Sequence, residues 1–211
     1  MKIIRLTQID STHTYLKNYI KNLEVFTPTC IITDYQTNGV GSRGNSWTGV
    51  KGNLFFSFVY EIEDLPIDLP LQSCSIYFSF ILKKIFEELG SNVWIKWPND
   101  FYINNKKIGG TITTMSNNLL FCGIGINLNN VSEEFGKLDI KIDIDKTMKN
   151  YFNNIEKQIS WKEIFSQFKV EFQNSKRFHV TIENQKKSLE NAVLNSDGSI
   201  NIDNKKVFSL R

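Results

Sequence analysis

Three cysteines in a chain of 211 residues are too few and too scattered to staple a fold or build a metal centre. Cys30, Cys74 and Cys122 are odd in number and lack any CxxC spacing, which excludes a disulfide framework and a structural zinc site and leaves them as reduced core thiols. Histidine is scarcer still. His13 and His179 lie far apart, and no Ser, His, Asp order marks a covalent nucleophile, so positioning and electrostatics are the economical form of catalysis. With arginine only at Arg5, Arg43, Arg177 and Arg211 and a formal charge of +3, the basic bias is too weak to imply a nucleic-acid partner. No apolar run reaches transmembrane length, and Met1-Lys2-Ile3-Ile4-Arg5 lacks the apolar stretch of a signal peptide. The expectation is a cytoplasmic protein without a membrane partner.

What the chain does have is apolar bulk. A hydrophobic fraction of 41% with 16 phenylalanines supports a globular core plus a small appendage, not a disordered chain. Lys2-Leu6 reads as a strand. Ser11 or Thr12 then caps a helix whose Tyr15, Leu16, Tyr19, Ile20 and Leu23 share one face. Cys30-Tyr35 and Leu54-Tyr60 read as strands, Leu71 to Leu89 as a core helix stopped by Gly90. Val93-Trp97 alternates as a strand ended by Pro98. A hairpin through Asn104-Asn105 follows, read as an I′-like turn, and a second joins Ile108-Met115 to Leu119-Ile126. After a polar connection over residues 130 to 145, Lys146-Lys157 and Trp161-Lys176 read as helices. From Phe178 onward the pattern changes to short strands: Phe178-Glu183, Ala192-Leu194, Ser199-Ile202 and Lys206-Leu210.

Three stretches suggest chemistry. Lys96, on a rigid strand between Trp94 and Trp97 and braced by Asn99 and Asp100, is a cation with little water around it, which suits an anion site. Gln36-Thr37-Asn38-Gly39-Val40-Gly41-Ser42-Arg43-Gly44-Asn45-Ser46-Trp47 carries three glycines in six residues, a backbone that can approach a phosphate closely. Gly123-Ile124-Gly125-Ile126-Asn127 ends a strand with two glycines on one face. Spacing alone equally fits an ordinary hairpin, a surface loop and a sheet bend.

The residues themselves are more specific. Lys96-Trp97-Pro98-Asn99-Asp100 resembles the KWPND signature of biotin-protein ligases, and Lys107-Ile108-Gly109-Gly110 resembles the KIxG strand that follows it there. Asp10-Ser11-Thr12-His13 resembles the family's D-S-T-N, with His13 where Asn is usual. Gln36, the glycines, Trp47, Gly52-Asn53-Leu54 and Ser57 resemble Q-x-x-G-R-G-R-x-G-R-x-W followed by G-x-N-L-Y-x-S. Val40, Ser42 and Asn45 depart from it, since the family usually has arginine there.

The resemblance implies an α/β fold of the α+β type: a mixed central sheet flanked by helices over residues 1–177, then a short SH3-like β-domain over 178–211. It implies ATP-dependent biotinylation of a biotin carboxyl carrier protein through biotinyl-5′-AMP, with Lys96 as the catalytic cation bridging carboxylate and α-phosphate. Biotin would meet Ser11, Thr12, His13, Gln36, Gly39, Val40, Gly41, Ser42 and Lys96. ATP and the adenylate would meet Arg43, Trp47, Asn99, Lys107, Gly125 and Asn127, with Mg²⁺ on the β and γ oxygens and no protein metal ligand assigned. Closure of residues 39 to 47 would exclude water from the adenylate. The missing loop arginines imply leakage of adenylate unless Arg43 turns inward. Two alternatives remain, a lipoate or other acyl ligase of the same fold and a biotin-sensing repressor. The chain begins at the first catalytic strand, so no DNA-binding domain is expected. Monomer and homodimer are equally compatible.

Overall fold

Leu54-Phe55-Phe56-Ser57-Phe58-Val59-Tyr60 is buried at every position, so the strand it forms must be covered on both faces. The computed structural model, which describes residues 1–41, 46–47, 49–129 and 132–208, supplies that cover. Its strands are β1 (Lys2–Leu6), β2 (Thr29–Thr33), the short ribbon β3 (Gly39–Val40) and β4 (Ser46–Trp47), β5 (Leu54–Glu61), β6 (Trp94–Lys96), β7 (Asp100–Ile103), β8 (Lys106–Ser116) and β9 (Leu119–Ile126). Seven of them form one mixed sheet in the order β1-β2-β5-β9-β8-β7-β6. Only β1 and β2 run parallel in it.

Helix α1 (Thr12–Lys21) packs on one face, where Leu16 and Ile20 meet Ile31, Val59 and Phe121. Its first turn is capped by Ser11, whose side chain accepts from the Thr14 N–H at 3.3 Å. The opposite face takes α2 (Cys74–Glu88), α3 (Ile144–Glu156) and α4 (Trp161–Ser175), with Phe58 edge-on to Phe78 and to Tyr151 at the centre. Strand β6 is a sheet edge whose outward N–H groups would be orphans in a dry interior. Side chains of α4 satisfy them: Glu171 accepts from the Ile95 N–H, and Ser175 Oγ from the Trp97 N–H at 3.0 Å. Glu171 also pairs with buried Lys83 at 2.8 Å, so α2, α4 and β6 are tied through one carboxylate.

The chain ends in β10 (His179–Ile182), β11 (Gln185–Ser188), β12 (Val193–Leu194), β13 (Ile200–Ile202) and β14 (Lys205–Val207), forming sheets of two and three strands. Their Val180, Ile182, Leu189, Ala192, Ile200 and Ile202 join the same apolar core as Trp97 and Phe168. The turn before β13 is bolted down as well. Trp97 Nε1 donates to Gly198 O at 2.9 Å, Trp161 Nε1 to Ser196 O at 2.8 Å, and Ser73 Oγ to Asp197 O at 2.5 Å.

The mixed sheet with flanking helices and terminal β units is the architecture the sequence implied. Several details differ. Leu71–Ser73 is a 3-10 turn leading into α2, because Pro70 opens the segment and Ser73 has not yet reached helical geometry. α3 starts at Ile144 because Asp143 caps it, accepting from the Lys146 N–H. Asn104 alone has positive φ in the first hairpin, so its turn is not type I′. Strand β11 escaped the sequence reading because Gln-Lys-Lys-Ser carries no apolar face. It pairs with β10 through Glu183 and Asn184, both at positive φ.

Candidate active site

Residues directly opposite one another in a sheet share a face, so strand register decides which side chains meet. One row across the sheet holds Phe55, Gly125, Gly110, Asp100 and Lys96. The next holds Ser57, Gly123 and Ile112. Both rows face the start of α1, Gln36, Val40, Gly41 and Trp47, and the glycines leave a cleft of about 240 Å³ between them. A side chain at Gly123 would lie 3.0 Å from Ser57 Oγ, and one at Gly125 would lie 3.2 Å from the Trp47 ring.

The closed end of the cleft has a defined proton order. Gln36 Oε1 accepts from the Thr12 N–H at 2.7 Å and from Thr12 Oγ1 at 3.0 Å. Thr12 thereby uses its one hydroxyl proton, so in its 2.8 Å contact with Ser57 Oγ it must accept. The chain runs Ser57 to Thr12 to Gln36. It leaves Ser57 with lone pairs and Gln36 with its amide N–H groups to offer a ligand.

His13 stands beside this chain. The ring is buried, its Nε2 lies 3.1 Å from Thr114 Oγ1, and its Nδ1 has no partner. Burial and then the nearby Lys17 ammonium hold its pKa down at about 4, so it is neutral at physiological pH. A depressed histidine pKa contributes stability that is complete above about 6.5 and is lost as pH falls toward 4. Urea unfolding should therefore show the natural protein losing roughly 2–3 kcal/mol more than His13→Phe between pH 7 and pH 4.5.

At the other end a β-bulge sets the face that Lys107 presents. Phe101 pairs with Gly109 but Tyr102 pairs with Lys107, so Ile108 is the extra residue and turns into the core. Without it Lys107 would share the buried face of Gly109. Instead it lies across Gly110, with Nζ 2.6 Å from Asp100 Oδ1 and 5.6 Å from the centre of the Trp47 ring. Lys96 Nζ is 3.7 Å from Asp100 Oδ2 and sits over Tyr102, bordering a second cavity of about 600 Å³ that adjoins the first. That cavity is also lined by Lys17 of α1 and by His179 and Thr181 of β10.

A sequence model of the family described as "Biotin/lipoate A/B protein ligase family" matches residues 6–129. The chain belongs to that family. Over 98% of its length it also superposes on 99% of a biotin acetyl coenzyme A carboxylase synthetase from Helicobacter pylori, described with bound biotinylated ATP, at 37% identity and a TM-score of 0.92. Among curated proteins it is 32% identical over 130 residues to biotin–protein ligase 2 of Arabidopsis thaliana. It is 30% identical over 130 residues to the bifunctional ligase/repressor BirA of Escherichia coli. Each of those matches takes in 58% of this chain and 39% of the relative's own length. The biotin protein ligase of Aquifex aeolicus, described in complex with biotin and ATP, shares the fold at 22% identity and a TM-score of 0.76.

Of the residues that resemble family motifs, Ser11, Thr12, His13, Gln36, Val40, Gly41, Trp47, Asn99, Lys107 and Gly125 line the narrower cleft together. Gly39 lies just behind it, where a side chain would strike Trp47 O and Gln36 Nε2. Ser42, Arg43 and Asn45 are outside the described residues. Lys96, at the β6 end of the row that holds Gly110 and Gly125, borders the adjoining cavity. The Asn99 amide donates to Thr111 O. Asn127 is buried and away from both cavities, its Nδ2 donating to Gly136 O at 3.1 Å and its Oδ1 accepting from Asn53.

Ser57, Asp100, Gly110 and Gly123 stand out in the sequence only as motif residues with no ligand contact assigned, and Ile112 and Phe135 do not stand out at all, yet all six line the cleft. The signal was present in part. Gly123 stands two residues before Gly125 on the same face, and Ser57 two before Val59, but the pairing that joins them is invisible in one dimension. The cysteines stay out of the chemistry, since all three are buried and burial pushes their thiols up.

Proposed function

We propose that this protein attaches biotin to a lysine of a biotin carboxyl carrier protein, using ATP and passing through biotinyl-5′-AMP. The observation that carries the reading is the pairing of a ureido-complementary closed end with a lysine at the open end of one cleft. A cyclic urea offers one acceptor and two donors; Gln36 Nε2 can donate to the acceptor and Ser57 Oγ can accept from one of the donors. Family membership and the ligands named for the H. pylori protein support the same assignment.

In the first step a carboxylate oxygen of biotin attacks the α-phosphorus of ATP, and the bond to the β-phosphate oxygen breaks, releasing pyrophosphate. Two anions must approach, and a fixed ammonium offsets their repulsion without surrendering a proton. Lys107 takes this role in preference to Lys96, since it alone of the two lines the glycine cleft. Asp100 holds Lys107 in place before substrate arrives. In the second step the carrier lysine amine attacks the acyl carbon and AMP leaves. Trp47 and the glycine row at Gly110 and Gly125 form the surface on which the nucleotide lies. A magnesium ion would come as part of the nucleotide substrate and would offset charge on its phosphates. Among the described residues no group of three carboxylates, thiols or imidazoles forms a resident cation site.

The test is isotopic pyrophosphate exchange into ATP, followed by transfer of labelled biotin to a carrier-protein lysine. Exchange should depend on biotin and not on lipoate; the reverse dependence overturns the assignment. Gln36→Ala should weaken biotin binding on the order of ten- to a hundredfold while leaving ATP binding alone, because the hydrogen bonds of its side chain run to Thr12 at the start of α1. Calorimetric titration with each ligand separates this from collapse of the loop, which would lower both affinities.

A further inference from the structure

Ser57 Oγ by itself gives a cyclic urea one acceptor for its two N–H groups. Gln36 keeps its amide N–H groups, and Ser57 keeps its lone pairs, because the hydroxyl protons run one way through Thr12. A second acceptor stands beside Ser57. His13 Nδ1 lies 3.3 Å from where a side chain on Gly123 would begin, and Ser57 Oγ lies 3.0 Å from the same point. The two atoms border one small space, the one that Gly123 leaves open.

We propose that His13 is a specificity-determining residue whose Nδ1 accepts a ring N–H of the bound heterocycle beside Ser57. The inference rests on the biotin reading above and deepens it. His13 is 7% exposed, and its Nδ1 is one of three buried side-chain polar atoms without a partner among the described residues. An unpartnered buried polar atom is costly, and one that faces a ligand cleft is satisfied when the ligand binds. For Nδ1 to accept, the single proton of the neutral ring resides on Nε2 and is donated to Thr114 Oγ1, 3.1 Å away. Edge-on packing against Phe121 and burial beside Lys17 keep the ring oriented and uncharged.

The consequence is discrimination. A lipoyl or fatty acyl group has no ring N–H, so it would leave both Nδ1 and Ser57 Oγ desolvated and unpaired. Sites built to hydrogen-bond a substrate reject analogues that lack the group far better than apolar pockets reject an extra methylene.

Nitrogen NMR of histidine-labelled protein reads the tautomer and the contact directly. The His13 Nδ1 resonance should be that of a bare, unprotonated nitrogen in the free protein and should move to a hydrogen-bonded value when biotin saturates the site. His13→Phe, which keeps the ring and its packing, should bind biotin roughly two- to twelvefold more weakly with ATP affinity unchanged. Octanoate affinity should stay level or rise in the same variant. Biotin saturation that leaves the Nδ1 resonance unmoved, or a phenylalanine variant that binds biotin as tightly as the natural protein, overturns the role of His13 alone. Failure of the natural protein to bind biotin at all removes the biotin reading and this inference with it.

Discussion

Lys107→Ala loses biotin-dependent pyrophosphate exchange by on the order of a hundred- to a thousandfold, the range for removing one fixed charge donor from a developing anion. Folding should be nearly untouched. The side chain is partly exposed and lies flat over Gly110, so truncation opens no buried cavity. The drop should fall on kcat as well as kcat/KM, because the ammonium is needed most when carboxylate and phosphate have closed on each other. Lys107→Arg keeps the charge but replaces a compact ammonium by a wide planar group, and should recover only part of the rate. The decisive comparison is Lys96→Ala under the same assay. If Lys96→Ala abolishes exchange while folded Lys107→Ala retains it, the bridging cation is the lysine that the sequence alone pointed to. Both lysines share Asp100, so their effects are not additive and the double variant cannot apportion them.

That contrast marks where one-dimensional reading stops. A continuous apolar run made β5 legible, alternation made β6 legible, and the Ser11 cap made the start of α1 legible, because all three depend on neighbours in sequence. The KWPND and KIGG residues were legible as motifs. That Lys107 lies over Gly110 was not, since it turns on Ile108 being extruded as a bulge between β7 and β8. A single inserted residue exchanges the two faces of everything before it. The hydroxyl chain was equally hidden: Thr12, Gln36 and Ser57 are separated by 24 and 45 residues in their pairings and meet only because α1 docks on the sheet. Asn127 carries the opposite lesson. Its place after Gly-Ile-Gly-Ile matches a ligand-binding motif, while in the fold its amide and that of Asn53 hold the chain as it leaves β9.

Two glycines on one strand, only two positions apart, should give opposite defects when filled. On the proposed reading Gly123, beside Ser57 and His13, borders the ureido end and Gly125, beside Trp47, the nucleotide end. A Cβ at Gly123 would meet only side-chain atoms, Ser57 Oγ at 3.0 Å, Ile112 Cγ1 at 3.2 Å and His13 Nδ1 at 3.3 Å, which can yield by a few tenths of an ångström. Gly123→Val should therefore fold, with overpacking costing about 1–3 kcal/mol and the melting temperature falling by no more than roughly 10 °C. The methyl groups would occupy the space between Ser57 and His13, push the heterocycle off its partners, and weaken biotin binding about a hundredfold or more. ATP binding should persist, since the row of Gly110 and Gly125 is unchanged. Gly125→Val should do the reverse by displacing the Trp47 indole, 3.2 Å from the new Cβ. Gly109→Val is the control for fold loss, because its Cβ would lie 2.5 Å from the Gly125 carbonyl oxygen, a backbone atom of the sheet itself. Titration of each folded variant with biotin and with ATP decides the matter. Equal loss of both ligands in Gly123→Val would mean that the cleft is not divided as its register indicates.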